Sequence, residues 1–346
     1  MIGEAWWRPE RFAAKRAHLE ARGRVVAAIR RFFVERDFVE VETPALQVSP
    51  GLEPHLQAFA TELTEPGEGR RRRFLHTSPE FTMKKLLVAG VPRLFQLAHC
   101  FRDGERSRTH HPEFTMLEWY RADAEYRALM ADCEALLVAA LTAGGRERFT
   151  FAGRAADPAA PWTYLSVAEA FQRFCGIDLL ATAPDPAAPR LDLLAAAAAP
   201  LGIAPHPGDS WEDLFFRIFL ARIEPELGIG APAILYDYPV SMAALARAKP
   251  GDPRLAERFE LYVCGLELAN AFSELTDAAA QRRRFLAEQE MKRRRYGEAY
   301  PIDEDFLAAL SAGMPESAGI ALGVDRLAML ASGAETIEDV LWAPVA

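Results

Sequence analysis

Between Leu94 and Tyr120 the chain runs from an apolar stretch (Leu94, Phe95, Leu97, Ala98) through a polar turn beginning at Arg102 into a second stretch opened by Pro112. In that second stretch Phe114, Met116, Glu118 and Tyr120 recur at period two, which predicts a hairpin with one chemically distinct face. Upstream, Trp6 to Arg36 reads as a basic helix, and Phe38 to Val41 as a strand stopped by Pro44. Ser49 to Gly69 reads as loop-rich, followed by four arginines at 70–73. Phe74 to Ser78 then leads into Pro79 and a helix over Glu80 to Val88, ended by Gly90. Further helices are expected over Tyr126 to Leu141, Ser210 to Ile223 and Asp277 to Tyr296, the last stopped by Gly297. Ala181 to Pro200 is rich in alanine and proline and reads as a surface insertion or weak linker rather than a domain boundary. Phe259 to Thr276 reads as two strands around Gly265, and the small residues after Ser317 as a strand running into a helix near Asp325 and Arg326. No internal repeat is present.

Composition narrows the class. With 346 residues the chain can bury a large core, and a single dominant domain over 1–346 is expected. The four cysteines form no CxxC pair, and no apolar run resembles a leader or membrane span, so a reduced, cytoplasmic protein without a membrane partner is expected. A formal net charge of -9 argues against a general nucleic-acid coat, because nonspecific phosphate binding needs clustered positive charge. The arginine run at 70–73 and the basic stretches Arg282 to Arg284 and Lys292 to Arg295 read as solvated faces.

Two segments carry candidate chemistry. In the hairpin, a ring such as Phe114 can stack on a base, the Arg102 guanidinium can fork onto a phosphate or carboxylate, and Glu118 with Tyr120 can hold an ammonium group. In FELYVCGLELANAFSEL, Asn270, Phe272 and Glu274 share a strand face, while Glu260 and Glu267 flank the turn with hard oxygens suited to Mg²⁺. On a regular strand Glu267 points away from Asn270, so a bulge is required if both are to face one pocket. His99, Cys100, His110 and His111 fit no structural zinc spacing. Gly319, Ala321 and Gly323 sit at strand parity without the βαβ context of a dinucleotide loop.

The stretch FRDGERSRTHHPEFTMLEWY resembles motif 2 of the class II aminoacyl-tRNA synthetases, and its PEFTMLEWY end is similar to the lysyl branch. VEVETP at 39–44 resembles motif 1, and SAGIALGVDRLAML at 317–330 resembles motif 3, so the three motifs fall at about 23–44, 93–120 and 317–331 in the expected order. The resemblance implies an α+β fold, an antiparallel sheet flanked by helices, in a homodimer joined through the Gly23 to Pro44 region, where the apolar Val25, Ile29, Phe32 and Phe33 exceed what one small helix face needs. It also implies ATP as substrate. Arg102 would touch the substrate carboxylate and α-phosphate, His110 would lie over the triphosphate, Phe114 would stack on adenine, and Arg326 would bind the γ-phosphate. Glu260 and Glu267 would hold Mg²⁺. Glu80 would meet the backbone amine, Glu118, Tyr120, Asn270 and Phe272 would line the amino-acid pocket, and Glu274 would pair with the ε-ammonium. The chain departs from the motif 2 pattern in placing Asp103 and Gly104 after Arg102, which displaces the glutamate to Glu105, an ATP-binding candidate. His111 stands where asparagine is usual.

Motif 1 begins within the first fifty residues, which leaves no room ahead of it for an oligonucleotide-binding barrel. Only one helix and a short tail follow Arg326. This layout resembles the elongation factor P lysine ligases, paralogues of lysyl-tRNA synthetase that join a lysine-type amino acid to a lysine side chain of elongation factor P. Ala321, where lysyl-tRNA synthetases have glycine, agrees with that family. The resemblance implies (R)-β-lysine as substrate, a functional link to a lysine aminomutase, and no tRNA partner. Two alternatives remain at this point: a minimal ligase acting on a tRNA acceptor stem, and an inactive amino-acid-sensing paralogue. Retention of both arginines and both metal-candidate glutamates speaks against the last.

Overall fold

The computed structural model describes residues 5–67 and 69–345. An eight-stranded sheet organises the chain, in the order β1 (Val39–Glu40), β5 (Arg93–Phe101), β6 (Glu113–Ala122), β13 (Ser317–Gly323), β12 (Leu266–Ser273), β11 (Leu255–Val263), β10 (Ala233–Pro239), β9 (Thr163–Ser166). The six strands from β5 to β10 pair antiparallel, as expected, while the two edge pairs are parallel: β1 with β5 and β9 with β10. Both exceptions have long intervening segments, which parallel neighbours require and hairpins do not.

The segment expected to be loop-rich contains a strand, β3 (Ala60–Glu65), in a small sheet with β2 (Leu46–Gln47) and β4 (Gly69–Leu75). The arginine run lies on β4, where Arg70 bonds to Glu62 across the pair. A two-stranded ribbon, β7 (Phe149–Phe151) with β8 (Arg154–Ala156), completes the sheet structure.

One face of the large sheet packs on α1 (Pro9–Val34), α3 (Tyr126–Gly144) and α9 (Val324–Ser332), with Phe95, Leu117, Trp119, Ala271, Ile320 and Leu322 inward. Val25, Ile29, Phe32 and Phe33 belong to this core, and Phe33 stacks on Phe95 at 4.8 Å. The four residues are therefore no surplus apolar surface for a partner subunit; they are consumed by the chain's own sheet. The apolar side chains left exposed in and beside the motif 1 region are Val34, Val39, Leu46 and Val48.

The Ala/Pro-rich stretch is ordered rather than a weak linker. Its helix α5 (Leu191–Ala198) buries Leu194 and Ala198 in a second core with α4 (Val167–Cys175) and α6 (Trp211–Arg222). Alanine has the highest helix propensity, so an alanine run bounded by proline closes into a helix once two positions find a partner face. On the sheet's other face lie α2 (Glu80–Val88), α7 (Ala278–Tyr296) and α8 (Glu304–Gly313), which enclose a third core around Phe81, Phe285 and Phe306. Helix α7 starts at Asp277, whose side chain accepts from the Ala280 amide, and ends at Gly297 with φ 76°.

Candidate active site

Strand alternation builds the site. Leu117, Trp119, Ala271, Ala318 and Ile320 enter the core, so Glu118, Tyr120, Asn270, Phe272, Gly319 and Ala321 are forced to the opposite face. The register aligns them into two rows across the sheet: Glu260, Asn270, Ala321, Glu118 in one, and Arg258, Phe272, Gly319, Tyr120 in the next. Above the rows lies a cavity of about 430 Å³. Its lining brings together Glu80, Arg102, Glu105, His110, Phe114, Glu118, Tyr120, Glu267, Asn270, Phe272, Ala321 and Arg326. Glu260 and Glu274 stand beside it and are not part of the lining.

The parity conflict at Glu267 is resolved by a bulge. Leu261 pairs with Ala269 and Tyr262 with Glu267, so Leu268 is an extra residue opposite no partner. One inserted residue restores Glu267 to the cavity side.

One end of the cavity is acidic. Glu118 accepts from Ser78 Oγ at 2.5 Å and from Tyr120 Oη at 2.8 Å. Burial first, then the neighbouring Glu80 carboxylate, push Glu118 up to about 8. Glu274 reaches Lys84, whose Nζ lies 2.5 Å from Oε2 and also bonds to Glu80. Although burial opposes it, the two carboxylates hold Lys84 above the usual ammonium range. Burial, eased by Lys84 and reinforced by Glu80, holds Glu274 above the usual carboxylate range. Neither Glu274 oxygen meets a donor at hydrogen-bonding angle, so acceptor capacity remains buried there. A side chain at Gly319 would meet Glu274 Oε1 at 2.4 Å and the Tyr120 ring at 2.2 Å, so only glycine leaves room for both groups beneath the floor.

The other end is cationic. Arg102 lies over the Phe114 ring at 5.1 Å with Glu105 3.9 Å away, and its Nε is buried without a partner. Arg326 donates to the Glu267 carbonyl at 2.7 Å and to His110 Nε2 at 2.6 Å, tying the first turn of α9 to the hairpin loop and the bulge. His110 must offer a lone pair to that guanidinium, and burial followed by the Arg326 charge hold it below its ordinary value, neutral. Asp325 fixes the helix start: it accepts from Arg22 at 2.7 Å and from the Thr115 amide at 2.6 Å.

The two metal candidates differ. Burial and then repulsion from Glu260 raise Glu267 to about 7, against the pull of the Arg326, Arg258 and Arg102 charges. Glu260 accepts from Arg258 at 2.6 Å, from Tyr238 at 2.6 Å and from Tyr262, which leaves about one of its four lone-pair sites free. Glu267 therefore fits a cation directly, and Glu260 at most through one remaining position. Among the described residues no group of three or more His, Cys, Asp or Glu is arranged to hold a metal.

Sequence reasoning missed Ser78, Arg258, Tyr238, Tyr262 and Asp325 as site residues and gave Lys84 no role. A signal existed for two of them: Lys84 lies four residues after Glu80 on one helix face, and Arg258 lies two before Glu260 on one strand face.

Residues 7–345 match the family model of class II tRNA synthetases (D, K and N), and the chain belongs to that class of ATP-using ligases. A protein of Vibrio cholerae named "Elongation factor P--(R)-beta-lysine ligase" is 40% identical over 341 residues, covering 98% of this chain and 97% of that protein. Proteins of the same name from Proteus mirabilis (39%; 98% and 97% covered) and Erwinia tasmaniensis (42%; 99% and 98% covered) are similar along the same span. Within the class, the chain is a member of the family of these elongation factor P ligases. Among the described residues no helix is long and apolar enough to cross a membrane.

Proposed function

We propose that the chain activates a lysine-type amino acid, (R)-β-lysine, with ATP and transfers it to a lysine side chain of elongation factor P. The carrying observation is the polarity of one cavity. Its acidic end, built by Glu80, Glu118 and the adjoining Glu274, suits a substrate with two ammonium groups, and its Arg102 and Arg326 end suits a carboxylate and phosphates. The relatives' name supplies the amino acid and the acceptor.

No protein nucleophile is needed. The substrate carboxylate attacks the α-phosphorus of ATP and pyrophosphate leaves, giving an aminoacyl-adenylate. A neutral acceptor amine then attacks the acyl carbon, forming an amide and releasing AMP and a proton. Arg102 faces the carboxylate and α-phosphate, Phe114 offers its ring to adenine beside Glu105, and His110 holds Arg326 toward the leaving phosphates. Mg²⁺, held on Glu267 with Glu260 beside it, would neutralise phosphate charge when bound.

A homodimer, cytoplasmic location and supply of the substrate by a lysine aminomutase complete the reading. The test is amino-acid-dependent ATP–pyrophosphate exchange with (R)-β-lysine and α-lysine, followed by intact-mass analysis of elongation factor P. Exchange with transfer to the protein is expected. Aminoacylation of tRNA with an unmodified protein would replace the reading by that of a minimal tRNA ligase.

A further inference from the structure

Arg258 sits on the same sheet face as Asn270 and Glu260 and lines the cavity in the row next to theirs. Its Nε donates to Asn270 Oδ1 at 3.0 Å, one Nη to Glu260 at 2.6 Å and the other to the Met242 carbonyl, while the guanidinium lies 4.4 Å from the Tyr238 ring centroid. Three of its five N–H groups are thus occupied, and the group cannot swing away without taking the counter-charge from Glu260. A guanidinium only donates. The Asn270 oxygen is therefore compelled toward Arg258, and the opposite branch of the amide, the NH₂, is what Asn270 offers to the cavity it lines.

We propose that Arg258 is a positioning residue that fixes the orientation of the Asn270 amide, so that the site presents a hydrogen-bond donor at this point. The inference rests on the reading of the cavity as an amino-acid-activating site. Its chemical content is specific: the ligand atom opposite Asn270 is an oxygen of the carboxylate or of the adenylate's acyl phosphate, not an ammonium group. An amide free to turn would offer its oxygen to an ammonium half the time and weaken discrimination between the two ends of the substrate. The constraint comes from a neighbouring residue of the same lining, through a bond that does not involve the ligand.

Three variants test this in ATP–pyrophosphate exchange with (R)-β-lysine, alongside thermal melting. Asn270→Asp keeps an acceptor toward Arg258 and removes the NH₂; it is expected to melt no lower than the parent yet raise the amino-acid KM about tenfold or more, with the ATP KM within about twofold. Arg258→Gln, which can accept as well as donate, releases the amide and is expected to raise the amino-acid KM similarly. Arg258→Lys, again donor-only, is expected to recover most of that loss even if it melts lower than Arg258→Gln. In a double variant, Arg258→Gln is expected to add little to Asn270→Asp. Independent, multiplying effects, or Arg258 variants that lower the melting temperature with unchanged amino-acid KM, would overturn the proposal. A parent protein showing no exchange with any lysine-type amino acid overturns instead the functional reading beneath it.

Discussion

Lys84 and Glu274 form a buried ion pair, Nζ to Oε2 at 2.5 Å, and the same ammonium also bonds to Glu80. An internal lysine thus occupies the acidic end of a cavity read as accepting a lysine-type substrate. Glu53, Glu80, Glu118 and Glu274 all lie within electrostatic reach of this one ammonium, so acidic groups remain in excess there, and a substrate with two ammonium groups suits that excess. Lys84 also holds α2 to the end of β12, so it sets the spacing of two carboxylates that come from different elements.

Lys84→Met should therefore destabilise the free protein more than a lost surface pair would. Stranding buried charge by removing one partner costs about 3 to 5 kcal/mol. Thermal melting with and without saturating (R)-β-lysine checks this, and the ligand should recover a larger increment in the variant than in the parent. Equal increments would mean that Lys84 and the ligand do not share carboxylates.

Glu274→Gln should abolish amino-acid activation while leaving ATP binding nearly intact, because the arginine end of the cavity lies elsewhere. It should also lower the melting temperature, since Lys84 keeps only Glu80. Nucleotide affinity measured by calorimetry falling as steeply as activation would remove Glu274 from the amino-acid end.

Ala321 lies between Asn270 and Glu118 in the cross-strand row and lines the cavity. Its methyl narrows the space where an α-amino acid and its β-isomer place their amines one carbon apart. Ala321→Gly is expected to raise activation of α-lysine relative to β-lysine by about 10- to 200-fold. The ratio of exchange rates with the two isomers reads this directly, and an unchanged ratio would locate selection elsewhere.

Element types were largely legible in the chain because the periodicities that carry them are local: α2 was expected at Glu80–Val88 and occurs there. The site face was legible for the same reason, since alternation around Leu117, Trp119, Ala318 and Ile320 fixes what points the other way. What escaped reading was long-range. Nothing local says that Lys84 meets Glu274, 190 residues on, or that Tyr238 and Tyr262 surround Glu260. The four apolar residues of α1 read as interface because their covering sheet is built from distant strands.

The pH response follows from Glu118, raised to about 8 from an ordinary 4.5. A folded-state pKa above the unfolded one means that the folded protein binds more protons between those values, so the stability of the ligand-free protein falls as pH rises from about 4.5 to about 8. An ammonium ligand favours the ionised carboxylate, so binding near pH 7 should release protons. Calorimetry of (R)-β-lysine in buffers of different ionisation enthalpy checks the release, and Glu118→Gln should diminish it.

If the chain dimerises through motif 1, the contact must use side chains that remain outside, Val34 and Val39, which are 61% and 53% exposed. Val39→Glu should shift sedimentation toward the monomer with little change in melting of the subunit's own core. A parent protein that sediments as a fully active monomer would end the dimer reading.

The extra residue at Leu268 leaves the β11–β12 hairpin more tolerant of a change in length than of a change at its charged positions. Deleting that one leucine would leave a regular ladder with Glu267 two places before Asn270, still paired with Tyr262 and still on the cavity face. Among descendants of this fold, a one-residue gap at this position would therefore leave the site carboxylate in place, and the length of this strand is free to vary by one residue where its charged letters are not.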